Sequence, residues 1–107
     1  MIRRNKGTYD ILPQETDQWQ KIEEVMRKVA KIFNFKEIRT PIFESSELFH
    51  RSVGESSDIV KKETYDFEDR GKRSITLRPE GTAPVVRAII ENKLYANPSQ
   101  PQKLYYY

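Results

Sequence analysis

The apolar residues near the start of the chain follow the period of a helix. Over residues 16–33 they recur at steps of three and four, and the opposite face is charged. The apolar positions are Trp19, Ile22, Val25, Met26, Val29, Ile32 and Phe33, and the charged ones are Lys21, Glu24, Lys28 and Lys31. This spacing predicts an amphipathic helix. We expect its apolar stripe to pack into a core rather than to line a ligand pocket.

The pattern changes to the period of a strand over residues 36–44. Apolar or β-branched residues alternate with polar ones there: Ile38, Thr40 and Ile42 with Glu37, Arg39 and Pro41. Because Pro41 has no N–H to donate, we expect it at an edge, a bulge or an interface. The residues Ser45-Ser46-Glu47 predict the cap of a short helix over residues 48–53, which Gly54 ends.

The second half of the chain predicts a hairpin followed by a helix. Residues 65–68 and 74–77 have strand character, and the polar link between them contains Gly71. An apolar pattern at helical spacing then covers about residues 83–94. We expect a loop or short helix over residues 55–63, a loop over 96–102 and a strand over 103–107. The elements together predict an α+β fold.

Composition narrows the possible functions. The chain has 107 residues and a net charge of +3, which suits one polar domain with a modest core and permits contact with nucleic acid without arguing for it. Cysteine is absent and His50 is the one histidine, so disulfides, cysteine-bound metals and histidine-rich metal sites are excluded. No apolar run is long enough to span a bilayer, and the N-terminus lacks the apolar core of a signal peptide.

The turn between the last hairpin strand and the following helix carries the candidate chemistry. It places Glu80, Gly81 and Thr82 at a helix N-terminus, where the helix dipole and free amides favour a negative charge. A carboxylate and a hydroxyl held there suit a primary ammonium group, and glycine allows close approach of a ligand. Alternatively, Glu80 balances the helix dipole, Thr82 caps the helix and Gly81 relaxes the turn.

No other segment carries a complete catalytic set. There is no glycine-rich phosphate loop, no paired nucleophile and base, and no metal-ligand spacing, so we predict no metal site. Arg78 and Arg87 are interpreted as members of surface ion pairs of little energetic value. Acidic residues near the hairpin are interpreted as a solvated face: Glu63, Asp66, Glu68 and Asp69.

Four segments occur in a telling order and spacing. They are residues 7–13 (Gly-Thr-Tyr-Asp-Ile-Leu-Pro), 35–44, 76–83 (Thr-Leu-Arg-Pro-Glu-Gly-Thr-Ala) and 103–106. Together they resemble the N-terminal part of the histidyl-tRNA synthetase family, which belongs to class II of the aminoacyl-tRNA synthetases. The first looks like the family's opening signature, and the second is similar to motif 1 of the class, with Pro41 at the motif proline. The third resembles the family's histidine-binding turn, and the fourth the strand that leads into motif 2.

The resemblance implies an activity and its site residues. The family activates histidine with ATP and Mg²⁺ to histidyl-adenylate and transfers the histidyl group to the 3′ end of tRNA(His). Glu80 and Thr82 would hold the α-ammonium group of histidine, and Gly81 would shape the turn. The resemblance also implies a cytoplasmic homodimer, with Arg39, Thr40 and Pro41 at the interface and the first helix near the two-fold axis.

The same resemblance implies that the chain is a fragment. The family's motif 2 arginine, histidine-specific loop, motif 3 and anticodon-binding domain have no counterpart in residues 1–107. The chain would then be the N-terminal part of an antiparallel-sheet catalytic domain, truncated before motif 2. It would carry no catalytic residue and be inactive alone, and an uncovered strand edge predicts self-association or marginal stability.

Two other functions remain open. One is the non-catalytic, synthetase-like regulatory subunit that partners ATP phosphoribosyltransferase in histidine biosynthesis. Members of that branch tend to lose the Glu-Gly-Thr turn, which is intact here, so the synthetase is favoured. The other is a freestanding dimerisation or RNA-binding module, for which the sequence offers a mildly basic charge and an aromatic C-terminal segment.

Overall fold

Helix α1 (Pro13–Ile32) is the longest element of the computed structural model, which describes residues 1–51, 63–96 and 101–107. The chain divides into two units, Met1–Lys36 and Glu37–Tyr107. The predicted helix is confirmed, and it begins three residues earlier than expected because Pro13 suits the first helical turn. Asn34, two residues after the last residue of the helix, is left-handed, with φ of 60°. The N–H of Phe35 then bonds back to the carbonyl of Ala30, 2.7 Å away, which satisfies a helix-end acceptor.

The apolar stripe of α1 is exposed. No residue of the helix is buried, and the exposed fractions run from 42% at Trp19 to 77% at Ile32. Within the first unit, the packing of this stripe into a core that the sequence predicts is therefore not formed. The physical reason is that the first unit, described in full, holds α1 and no second layer for the helix to cover.

The second unit is built on a three-stranded antiparallel sheet. Its strands are β2 (Phe43–Ser45), β3 (Asp66–Glu68) and β4 (Ser74–Leu77), in the order β2-β4-β3. The central strand pairs Thr76 with Glu44 on one side and with Asp66 on the other. The α+β fold and its antiparallel sheet are thus confirmed.

The hairpin between β3 and β4 forms as predicted, but its turn does not rely on Gly71. Lys72 is the left-handed residue, with φ of 61°. Its N–H bonds to the carbonyl of Asp69, and the carboxylate of Asp69 accepts from the backbone N–H of Arg73 at 2.8 Å and from its side chain. The acidic side chain therefore closes the turn, so Asp69 is not simply part of a solvated face.

The predicted strand over residues 36–44 is interrupted. Only β1 (Lys36–Glu37) and β2 have strand geometry, and the residues between them, including Pro41, are irregular. β1 pairs with β5 (Leu104–Tyr105), which confirms the expected C-terminal strand in a shorter form. The N–H of Ile38 donates to the carbonyl of Tyr105 at 2.9 Å and extends this pairing by one bond.

Helices pack beside the sheet in the described part of the second unit. Helix α2 (Ser46–Arg51) packs against β4 and against helix α3 (Thr82–Glu91), and a 3₁₀ turn, Leu94–Ala96, follows α3. The buried residues of this unit include Phe49, Pro84 and Ala88. The expected helix end at Gly54 and most of the loop predictions for residues 55–63 and 96–102 lie outside the described residues.

Candidate functional site

The candidate turn lies between the end of β4 and the start of α3, as the sequence predicted. The carboxylate of Glu80 accepts hydrogen bonds from the backbone N–H groups of Thr82 and Ala83, the latter at 3.0 Å. Pro84 has no N–H, and the N–H of Val85 bonds to the carbonyl of Gly81. The amide donors of the first turn of α3 are therefore satisfied, and Glu80 is the residue that caps the helix.

This arrangement supports part of each of the two interpretations of the turn, as a ligand site and as a helix cap. Thr82 is not the cap, because it is the first residue of the helix and its hydroxyl lies near another partner. Glu80 does balance the amides of the helix, yet a carboxylate has about four acceptor positions, so two remain for a ligand. Glu80 and Thr82 are both exposed. They also line one open groove of about 730 Å³, whose apolar walls include Val86 and Ile90.

Gly81 is required for space rather than for an unusual backbone angle. Its φ of −101° is open to any residue. A Cβ added there would lie 2.8 Å from Cζ of Tyr106 and closer still to Cε2, which is inside van der Waals contact. The glycine therefore lets an aromatic ring pack directly on the turn.

Tyr106 is the neighbour of the site that sequence reasoning missed. Its hydroxyl oxygen lies 3.3 Å from Oγ1 of Thr82, and either group can be the donor. The signal in the sequence was the run of three tyrosines at residues 105–107, which predicted a strand and an aromatic surface but no contact with the turn. Which tyrosine faces the turn follows from the pairing of β5 and was not readable from the sequence.

An ion pair holds α3 in place beside the turn. Nε of Arg87 lies 2.9 Å from Oε2 of Glu44, and the side chain of Glu44 is only 7% exposed. Burial acts to lower the pKa of Arg87, but bonding and attraction from Glu44, and then from Glu91, raise it overall. The interpretation of Arg87 as a surface ion pair is therefore wrong, because one partner is buried.

Arg78 also differs from its interpretation as a surface ion-pair residue. Its Nη1 donates to the carbonyl and to the hydroxyl oxygen of Thr40, both at 3.1 Å. Its backbone N–H donates to the carbonyl of Ile42. These bonds tie the irregular segment that carries Arg39, Thr40 and Pro41 to the residue that follows β4, so this segment and the candidate turn belong to one framework.

Comparison with known proteins identifies the family. A family model described as histidyl-tRNA synthetase matches residues 7–107. The chain belongs to the histidyl-tRNA synthetase family. It is 65% identical over 101 residues to proteins named histidine–tRNA ligase from Bacillus velezensis and Bacillus subtilis, which covers 94% of this chain and 24% of each relative.

Solved structures agree with this family assignment. The chain superposes on apo Staphylococcus aureus histidyl-tRNA synthetase with a TM-score of 0.83 and 51% identity, over 99% of this chain and 24% of that one. A Bacillus halodurans protein described as an ATP phosphoribosyltransferase regulatory subunit/histidyl-tRNA synthetase gives a TM-score of 0.74 at 24% identity. At that identity the second likeness shows the fold alone. The chain spans about a quarter of the length of the relatives it matches.

A polar network around Thr76 of strand β4 is a second feature that the sequence of this histidyl-tRNA synthetase family member did not reveal. Thr76 is fully buried, and its hydroxyl group bonds to the carboxylate of Asp66 and lies 2.7 Å from Oγ of Ser46. Nε2 of His50 lies 3.4 Å from the other carboxylate oxygen. The bond from Thr76, supported by His50 and opposed by burial, lowers the pKa of Asp66. Asp66 is exposed, as the interpretation of a solvated face expects, and it also serves as a structural acceptor for Thr76.

Neither a metal cluster nor a membrane span is found in the part of the chain that the structure describes. Within residues 1–51, 63–96 and 101–107, no three His, Asp or Glu side chains come together in a way that could hold a metal ion. Among the helices in those ranges, none combines the length and the apolar character needed to cross a bilayer.

Proposed function

We propose that this chain supplies the amino-group part of the histidine site of a histidine–tRNA ligase. In that reaction ATP, with Mg²⁺, activates histidine to histidyl-adenylate, and the histidyl group passes to the 3′ end of tRNA(His). Membership of the histidyl-tRNA synthetase family supports the proposal. The observation that carries it is the arrangement of Glu80 and Thr82, whose side chains border the same groove at the N-terminus of α3.

The chemistry of the turn suits an α-ammonium group. The backbone N–H groups of Thr82 and Ala83 fix the carboxylate of Glu80 in one orientation, so little entropy is lost when a ligand binds. An ammonium group has three donors, and Glu80 and Thr82 offer acceptors for them. A charge-assisted bond of this kind contributes about 1.5–3 kcal/mol. The turn would act by positioning the substrate, which aims its carboxylate at the α-phosphate of ATP.

The groups that bind MgATP and perform adenylation belong, in this proposal, to the three quarters of the relatives that this chain does not match. Residues 1–107 would then hold the substrate amine without turning it over. We further propose a cytoplasmic homodimer in which Arg39, Thr40 and Pro41 contribute to the interface. Thr40 is already held by Arg78, whereas the side chain of Arg39 is 85% exposed and pairs with Glu37.

A chimera tests the proposed function. This chain replaces the matching N-terminal segment of the Bacillus subtilis ligase, with which it shares 65% identity over 101 residues. The chimera should catalyse histidine-dependent ATP–pyrophosphate exchange and charge tRNA(His), whereas the 107-residue chain alone should do neither. Glu80→Gln in the chimera should raise the KM for histidine by at least about tenfold, because the charge-assisted bond is lost.

Two results would contradict the proposal. One is a chimera that is folded and binds ATP but shows no exchange with histidine. The other is a Glu80→Gln variant whose KM for histidine equals that of the parent chimera. Glu68→Gln is the matched control, since Glu68 is an exposed glutamate outside the turn and its replacement should leave the KM unchanged. If the 107-residue chain alone catalysed exchange, only one part of the proposal would be refuted, namely that MgATP binding and adenylation need the part of the relatives that this chain does not match.

A further inference from the structure

Tyr106 packs against the turn that we propose as the ammonium site. Its ring occupies the space that a side chain at residue 81 would need, and its hydroxyl oxygen lies 3.3 Å from Oγ1 of Thr82. We propose that Tyr106 is a positioning residue of this site, one that fixes the backbone at Gly81 and orients the hydroxyl of Thr82 toward the substrate amine. The inference rests on the proposed function and adds a residue to it.

The packing of the ring defines one side of the turn. Because an added Cβ at Gly81 would collide with Cζ of Tyr106 at 2.8 Å, the ring lies against the bare Cα. Backbone movement toward the ring is therefore blocked. Thr82 and Glu80 follow and precede this glycine directly, so a ring that holds Gly81 also limits the movement of both proposed ligand groups.

The hydroxyl group of Tyr106 orients the hydroxyl group of Thr82. A hydroxyl has one proton and two lone pairs, and an ammonium group can only donate, so Thr82 must use a lone pair to bind it. The hydroxyl of Tyr106 can donate to the second lone pair or accept the Thr82 proton. In either case the torsional freedom of the Thr82 hydroxyl is reduced, and a lone pair remains for the substrate amine.

The position of Tyr106 itself is set by strand pairing. It follows β5 directly, and the carbonyl of Tyr105, one residue earlier, accepts the N–H of Ile38 at 2.9 Å. The side chain of Tyr106 is 47% exposed, so its placement against the turn does not follow from deep burial. Backbone pairing and the glycine opposite the ring together account for the contact.

The test uses the same chimera with Tyr106→Phe, which keeps the ring and removes the hydroxyl. We expect the KM for histidine to rise by about 3- to 10-fold, the loss expected for one neutral hydrogen bond, with kcat and the KM for ATP unchanged. Tyr65→Phe is the matched control. Tyr65 is 74% exposed, and its replacement should change none of these values.

Two substrate analogues separate positioning from a general effect on the fold. Histamine keeps the ammonium and imidazole groups of histidine, whereas imidazolepropionate lacks the ammonium group. Tyr106→Phe should raise the inhibition constant of histamine by the same factor as the KM for histidine, and should leave that of imidazolepropionate unchanged. Equal changes for both analogues would overturn the proposal, because a merely structural role does not distinguish them.

A double-mutant cycle tests the path through Thr82. Thr82→Val removes the hydroxyl that Tyr106 contacts, so Tyr106→Phe should have no further effect on the KM in that background. Additive effects of the two changes would overturn the orientation argument. An active chimera in which Tyr106→Phe changes neither the KM nor the histamine constant refutes the role of Tyr106 alone. A parent chimera without exchange activity refutes the proposed function, and with it the ammonium site that Tyr106 would serve.

Discussion

Arg87 and Glu44 join helix α3 to the edge strand of the sheet in the second unit. Nε of Arg87 lies 2.9 Å from Oε2 of Glu44, and Nη2 lies 3.0 Å from Oε1, so the two side chains meet through two pairs of atoms. Glu44 is buried and Arg87 is partly exposed. This pair fixes the helix whose N-terminus carries Glu80 and Thr82, which connects the stability of the sheet to the geometry of the candidate site.

Glu44→Ala should destabilise the chain by about 2–4 kcal/mol. Removing one member of a buried pair leaves the other charge without its partner, although Arg87 keeps Glu91 and some contact with water. Urea unfolding followed by circular dichroism measures the loss. Glu91→Gln is the control, since the side chain of Glu91 is 66% exposed and its change should cost at most about 1 kcal/mol. Equal losses for the two variants would contradict a special role for the buried glutamate.

Glu80→Ala should lower the stability of the chain by about 0.5–2 kcal/mol, because the amides of Thr82 and Ala83 lose their acceptor. Glu80→Gln keeps a side-chain oxygen at the same place and should therefore lose less stability than Glu80→Ala. The unfolding midpoints in urea of the two variants and the parent give the comparison. If Glu80→Ala is as stable as the parent, the carboxylate does not cap α3 in solution.

Asp66 should make the stability of the chain sensitive to acid. The bond from Thr76 lowers the pKa of Asp66 below its ordinary 3.8, so its stabilising contribution is complete above that value and is lost as the pH falls through the lowered pKa. Asp66→Asn should therefore flatten the decline in unfolding free energy between about pH 5 and pH 2. Glu68→Gln, in the same strand, is the control. A parallel decline in the parent and in Asp66→Asn would contradict this assignment.

The exposed stripe of α1 should make the chain associate with itself as its concentration rises. Contiguous apolar surface of this kind marks an interaction site or an aggregation hazard. Ile22→Lys combined with Met26→Lys should shift sedimentation velocity toward the monomer, since these side chains are 58% and 44% exposed. Glu24→Gln, on the charged face, should leave the association unchanged. A parent chain that stays monomeric at every concentration measured would refute the prediction.

Local patterns in the sequence were enough to predict α1, the β3–β4 hairpin and the helix that follows it. In α1 the apolar period and Pro13 act within a few residues of each other, so no distant contact is needed. Residues 36–44 failed as a single strand although they alternate. Alternation indicates which face of a sheet each side chain prefers. A strand also needs a neighbouring strand along its whole length, and the segment around Pro41 lacks regular pairing.

The candidate site likewise has features that local patterns predict and features that depend on distant contacts. The order and spacing of the Glu-Gly-Thr turn and of the segments that resemble motif 1 and the opening signature were sufficient to predict the family from the sequence. The sequence could not show that Glu80 caps α3, that Gly81 is required by the ring of Tyr106, or that Arg87 reaches a buried Glu44. These contacts join residues as far as 43 positions apart. Such pairs are chosen by the register of the sheet and by the packing of helices on it, which no local pattern along the chain encodes.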